Sequence, residues 1–172
     1  MDEYATDPPI EGRVGDALRE AGETVAVAEA ATGGLVTALL TAPSGASDYA
    51  DRGYVTYAYD SLRETLAVSR ETLDAHGAVS APTVREMATG ARDRARTDWG
   101  VAAAAIAGPG GGTPDRPVGT AFVAVAEAAP WETGDSSVTA RRYAFEGDRA
   151  AVRERVARQA LRDLHAAVTE CG

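Results

Sequence analysis

Apolar residues recur along the chain with two alternating periods, and these predict helices and strands in a definite order. Ile10, Val14, Leu18 and Ala21 fall at steps of about four, so residues 10–22 should form a helix with one apolar face, which Gly22 can close. Thr24 to Glu29 carries Val25 and Val27 and reads as a short buried strand. Thr32-Gly33-Gly34 interrupts it, and Leu35 to Leu40 returns to the helical period. Beyond the turn chemistry of Pro43-Ser44-Gly45-Ala46-Ser47, Gly53 to Ala58 alternates and is rich in Tyr and Val, which predicts a second strand. Residues 60–77 suit one or two short helices ending at Gly77. Ser80 can cap the next helix, with Pro82 in its first turn and Val84, Met87, Ala88, Ala91 and Ala95 on its core face.

Trp99 to Ala107 is the most apolar stretch and predicts a central strand running into Gly108-Pro109-Gly110-Gly111-Gly112. Val118 to Ala126 and Ser136 to Phe145 should be two further strands, paired as an antiparallel hairpin around Pro130 and Gly134. Asp148 opens a last helix whose face is Val152, Val156, Ala160, Leu164 and Val168. Helices alternating with strands, then a hairpin and a closing helix, imply an α/β fold: a three-layer α/β/α sandwich with a mixed sheet. Residues 1–10, with Pro8-Pro9, read as a loose N-terminal tail, and 11–172 as one domain.

Composition narrows the function classes. A chain of 172 residues suits one domain, long enough to bury roughly two thirds of its unfolded surface without a metal or disulfide. Hydrophobic residues make up 45% and aromatic residues 6%, so the core must be built from Ala, Val and Leu. No apolar run approaches a membrane span, and Met1-Asp2-Glu3-Tyr4 has no basic n-region; a cytoplasmic location and no membrane partner are expected. The single cysteine, Cys171, cannot form an intramolecular disulfide and is expected to be a bystander. Net charge is −9, and all 17 basic residues are arginine. The acids are scattered, which points to a halophilic surface rather than an acidic binding face. Nucleic acid is not an expected partner, because phosphate neutralisation needs local positive charge.

Two glycine turns are the candidate binding elements. In Glu29-Ala30-Ala31-Thr32-Gly33-Gly34 a helix begins at glycines, where bare N–H groups can favour an anion and Thr32 can cap the helix or touch a ligand. Ala107 to Gly112 follows the central strand, and ligands in open α/β sheets gather beyond the carboxyl ends of strands. Neither turn is a P-loop or a complete dinucleotide fingerprint. Catalytic groups are scarce. His76 reads as a helix-terminal residue and His165 as a solvated one. Without lysine, no Ser–Lys or Schiff-base chemistry is available. No metal site and no cofactor are expected.

Glu29 through Gly34, Gly45-Ala46-Ser47, Val55-Thr56-Tyr57, Gly77-Ala78-Val79-Ser80, Ile106-Ala107-Gly108-Pro109, Pro117-Val118-Gly119-Thr120 and Phe145 to Arg149 with Arg153 resemble the C-terminal domain of the competence/damage-inducible CinA family over about residues 11–168. The resemblance implies a metal-free nicotinamide-nucleotide amidohydrolase scaffold that turns nicotinamide mononucleotide into nicotinic acid mononucleotide and ammonia. It implies a serine in the first glycine turn, an activating lysine after the Tyr-containing strand, and a threonine at the end of the central strand. Those positions here are Ala30, Leu62 and Ala104; the cysteine following the serine is Ala31 and the glycine after the threonine is Ala105. Serine and lysine act as a unit, so their loss removes the covalent route. The surviving ligand-binding candidates are Glu29, Thr32, Gly33, Gly34, Tyr57, Gly108, Pro109 and Arg149. Arg149 could hold a phosphate bidentately or pair with a local acid.

Three readings follow. The leading one is an inactive homologue that binds a nucleotide-like small molecule or a partner. The second is an amidohydrolase with altered chemistry through Thr32, Tyr57 or Glu29. The third is a structural protein whose crevice is filled by Ala30, Leu62 and Ala104. The family resemblance also implies a homo-oligomer.

Overall fold

The computed structural model describes residues 7–130 and 132–170; Cys171 and most of the expected N-terminal tail lie outside them. The elements are α1 (Ile10–Ala21), β1 (Val25–Glu29), α2 (Leu35–Leu40), β2 (Ala50–Val55), α3 (Tyr59–Leu66), α4 (Arg70–His76), α5 (Ala81–Ala95), β3 (Trp99–Ala105), β4 (Thr120–Glu127), β5 (Ser137–Ala144) and α6 (Arg149–Glu170). The five strands form one sheet in the order β2-β1-β3-β4-β5. β1 pairs parallel with β2 and β3, β4 runs antiparallel to β3, and β5 closes the expected hairpin on β4. Helices cover both faces, so the three-layer mixed-sheet architecture holds.

Helix ends follow their sequence signals. Gly22 ends α1 in the left-handed conformation at φ 68°. The Ser80 hydroxyl accepts from the Thr83 N–H and caps α5. Asp148 caps α6 through the Ala151 N–H at 2.9 Å, so the helix proper starts one residue later. The largest shift concerns β2, which begins at Ala50 and stops at Val55, short of the expected Ala58. It is an edge strand with mostly exposed side chains, so its alternation is not enforced by burial on both faces.

Alternation along the strands sorts the core by size. Val25, Val27, Trp99, Val101, Val123 and Val125 face α1, α2 and α6. Ala26, Ala28, Ala102, Ala104, Ala124 and Ala126 face α3, α4 and α5. The small face lets α5 lie close to the sheet, where a β-carbon at Gly100 would overlap the Ala88 carbonyl oxygen, and Gly90 lets α5 lie close to α3, where a β-carbon would overlap the Leu66 carbonyl oxygen. Hence the alanine-rich composition matches one tightly packed layer and one ordinary valine–leucine layer. No described helix is long and apolar enough to cross a membrane.

Candidate functional site at the carboxyl edge of the parallel strands

Because β1, β2 and β3 are parallel, their carboxyl ends at Glu29, Val55 and Ala105 share one edge of the sheet. From β1 the chain passes through α2 to β2 on one side, while β3 lies on the other. This divergence opens a crevice of the kind where α/β proteins hold ligands. Both glycine turns open at this edge.

The first turn is organised from within by Glu29, which is fully buried. One carboxylate oxygen accepts from the Thr32 hydroxyl at 2.6 Å, the Gly34 N–H at 2.9 Å and the Val36 N–H at 3.1 Å. The other accepts from the Thr37 N–H at 2.9 Å and the Thr37 hydroxyl at 2.7 Å. The N–H groups at the start of α2 are thus satisfied by an internal carboxylate, not left for an external anion. Thr32 serves Glu29 instead of capping the helix. Neither Glu29 nor Thr32 offers a free polar atom to the crevice. Gly33 supplies the closeness the turn needs: at φ 64°, a β-carbon there would lie 3.0 Å from Arg153 Nη2 and 3.3 Å from the Tyr57 hydroxyl oxygen.

Two arginines one helical turn apart tie the glycine turns together. Arg149 donates from Nη1 to the Gly108 carbonyl at 2.7 Å, and Arg153 donates from Nη2 to the Thr32 carbonyl at 2.6 Å. Arg149 is therefore held by the second turn and not by a neighbouring acid. Arg153 matched the family pattern without standing among the candidate ligand-binding residues; its signal is the four-residue spacing from Arg149 on the same helix. Gly108 packs tightly: a β-carbon there would sit 2.7 Å from Val118 Cγ1. Pro109 is exposed at the mouth of this turn.

Ala30, Leu62 and Ala104 belong to one apolar layer. Leu62 and Ala104 are fully buried members of the apolar cluster under α5, and the half-buried Ala30 packs against the same cluster. The Ala30 N–H donates to the Ala103 carbonyl at 3.0 Å, and the Thr56 N–H donates to the Glu29 carbonyl at 2.8 Å, so both ladders run one step past Glu29. Among the described residues, two buried side-chain polar atoms lack a hydrogen-bond partner, Thr56 Oγ1 and Arg153 Nε, and both flank this turn. Thr56 is 3% exposed and was invisible as a site residue in the sequence, where it reads as one more β-branched strand position.

The rim is apolar and aromatic. Val55, Tyr57, Tyr59 and Val118 are the large hydrophobic side chains most exposed among the described residues, Tyr57 at 60%, and all lie around this edge. The Tyr57 hydroxyl donates to the Ala31 carbonyl at 3.2 Å. A cavity of about 500 Å³ lies elsewhere, across α5 beside Leu66, Gly90 and Val138. The histidines stand apart from the crevice chemistry. His76 ends α4, and its carbonyl accepts from Arg116. His165 is partly buried rather than solvated; burial first, then the nearby Arg13 charge, lowers its pKa.

Comparison with known proteins agrees with this geometry. The family model for the CinA C-terminal domain matches residues 7–168. The Escherichia coli K12 protein named nicotinamide-nucleotide amidohydrolase PncC is 43% identical over 152 residues, covering 88% of each chain. A CinA-like protein of Anaeromyxobacter sp. strain K is 46% identical over 151 residues, 88% of this chain but 35% of its own length. Among solved structures, the CinA superfamily protein from Klebsiella pneumoniae superposes with a TM-score of 0.85 at 34% identity, covering 94% of this chain and 96% of that one. The competence/damage-inducible protein CihA from Agrobacterium tumefaciens gives 0.85 at 35% identity, covering 98% and 99%.

Proposed function

The chain belongs to the CinA C-terminal domain family, and we propose that it is a member that binds a nicotinamide-nucleotide-type ligand at the β1–β3 crevice without hydrolysing it. One observation carries the reading: the three positions where the resemblance implies serine, lysine and threonine are Ala30, Leu62 and Ala104, packed against one another's apolar cluster. An alanine has no nucleophile, and no side chain in that cluster can take a proton from one. The binding frame persists beside it, in two glycine turns tied by Arg149 and Arg153 and rimmed by Tyr57 and Tyr59. Such a frame suits a planar ring and a phosphate.

A replacement mechanism finds little support. The Thr32 hydroxyl donates to Glu29, the Glu29 oxygens are committed to α2, and the Tyr57 hydroxyl donates to a carbonyl. The structural reading has one observation in its favour, since Leu62 and Ala104 are fully buried and present no surface to a ligand. A thermal-shift titration with nicotinamide mononucleotide separates the two. Ligand at 100 times its dissociation constant adds about 2.7 kcal/mol of stability, whereas a purely structural protein shows no shift at any concentration.

A further inference from the structure

The outer face of α5, away from the sheet, carries a charge pattern that folding alone does not require. Two rows at steps of four run along it, Arg85-Thr89-Asp93 and Glu86-Gly90-Arg94. Each row has opposite charges at its ends and a small residue in the middle, and the two rows run with opposite signs. Arg85, Asp93 and Arg94 are exposed, and Glu86 and Thr89 are half-buried. Among the described residues, Arg85 and Arg94 have no ion pair or hydrogen bond from their side chains. Asp93 pairs with the adjacent Arg92 at 2.8 Å, yet 59% of its side chain stays exposed. Glu86 accepts from the Ser69 N–H and the Thr72 hydroxyl at the start of α4. These residues line the depression of about 500 Å³ across α5, together with the apolar Ala67 after α3 and Val138 on β5.

We propose that this face docks a second copy of the chain, with α5 laid antiparallel across the same helix of the partner. A twofold axis in the plane of contact reverses each helix end for end and sets each row over its own counterpart. Arg85 then meets the partner's Asp93, Asp93 meets the partner's Arg85, and Glu86 faces the partner's Arg94. Thr89 lies at the axis against the partner's Thr89. Arg85 and Asp93 are eight residues apart, about 12 Å along the helix, so each charge sits about 6 Å from the crossing and within an arginine's reach. Thr89 and Gly90 leave room at the centre for the rows to interlock, as ridges spaced by four residues do in packed helices. A chain of net charge −9 repels its own copies. On this face two arginines balance two acids, so the repulsion is removed locally and the register of docking is fixed. Rows that match themselves when reversed suit a copy of this chain, whereas a different partner needs no such symmetry. The inference does not rest on the reading of the crevice.

Sedimentation velocity at one fixed salt concentration tests this on the wild type, Arg85→Asp, Asp93→Arg and Thr89→Glu, with circular dichroism to show that each is folded. The wild type should dimerise. Arg85→Asp sets carboxylates against carboxylates in both symmetry-related pairs, and Asp93→Arg sets guanidinium against guanidinium. Each should raise the dimer dissociation constant at least about tenfold. Thr89→Glu puts two carboxylates face to face at the axis and should do the same. Mixing Arg85→Asp with Asp93→Arg makes both pairs attractive again, so the mixture should form a heterodimer although neither variant dimerises alone. Both changed positions are exposed, and each new charge suits its end of the helix dipole, so folding should be kept. If Asp93→Arg does not fold, Arg85→Asp and Thr89→Glu carry the test. A wild type that stays monomeric up to roughly 100 μM overturns the inference. So does an oligomer that Arg85→Asp and Thr89→Glu leave intact, because copies would then meet elsewhere. Two folded monomeric variants that fail to associate when mixed overturn the pairing of Arg85 with Asp93.

Discussion

Glu29→Gln is the most informative single change at the first glycine turn, because a ligand-binding role and a structural role predict opposite results. Glu29 accepts five hydrogen bonds, three from backbone N–H groups at the start of α2 and two from the hydroxyls of Thr32 and Thr37. Glutamine has the same shape, but one oxygen becomes an NH2 group that cannot accept. In the milder orientation the NH2 faces Thr37. The Thr37 hydroxyl can turn to accept from it, while the Thr37 N–H loses its partner. One buried donor left unsatisfied costs about 1–3 kcal/mol. For a chain of this size that lowers the melting temperature by roughly 2–12 °C. Glu29→Ala strips all three N–H groups and should cost about 3–5 kcal/mol, comparable to breaking a buried ionic contact, and a large part of a typical 5–15 kcal/mol stability. Circular-dichroism melts in one fixed salt concentration measure both. If Glu29→Gln melts within about 1 °C of the wild type but loses nucleotide binding, the carboxylate belongs to the ligand and the structural assignment is refuted.

The inherited chemistry should be restorable only in combination. Ala30→Ser, Leu62→Lys and Ala104→Thr together should yield measurable but poor hydrolysis of nicotinamide mononucleotide, since a misplacement of about 1 Å can cost roughly a hundredfold; each single change should yield none, as an ammonia-release assay would show. His165 makes stability fall with acid. Its pKa is lowered in the fold by burial and by Arg13, so its contribution is fully present above the unfolded value of about 6.5 and is lost as pH falls through that value toward the folded one. Urea titrations should show a shallower acid-side loss in His165→Gln, and an identical slope would contradict this. With 26 acidic against 17 basic residues, the melting temperature should rise between dilute buffer and molar potassium chloride, where the Debye length is about 3 Å; an unchanged value would remove the halophilic reading.

The order of elements was legible because each carries its own period: steps of four in α1 and α6, and the uninterrupted apolar run of β3. The paired glycine turns at one sheet edge were legible as well, since each follows a strand and parallel strands point the same way. What could not be read locally depends on contacts across the fold. Glu29 looks like a ligand group in sequence and turns inward only because α2 folds back over it. Arg153 becomes a site residue once α6 crosses the first turn. Thr56 is indistinguishable from its β-branched neighbours until register sets it beside Ala30.

Incubation of the wild-type protein with nicotinamide mononucleotide in molar salt, beside an active family enzyme as control, should release no ammonia above background. Turnover well above background by the wild type would contradict the reading of Ala30, Leu62 and Ala104 as the loss of the hydrolytic machinery.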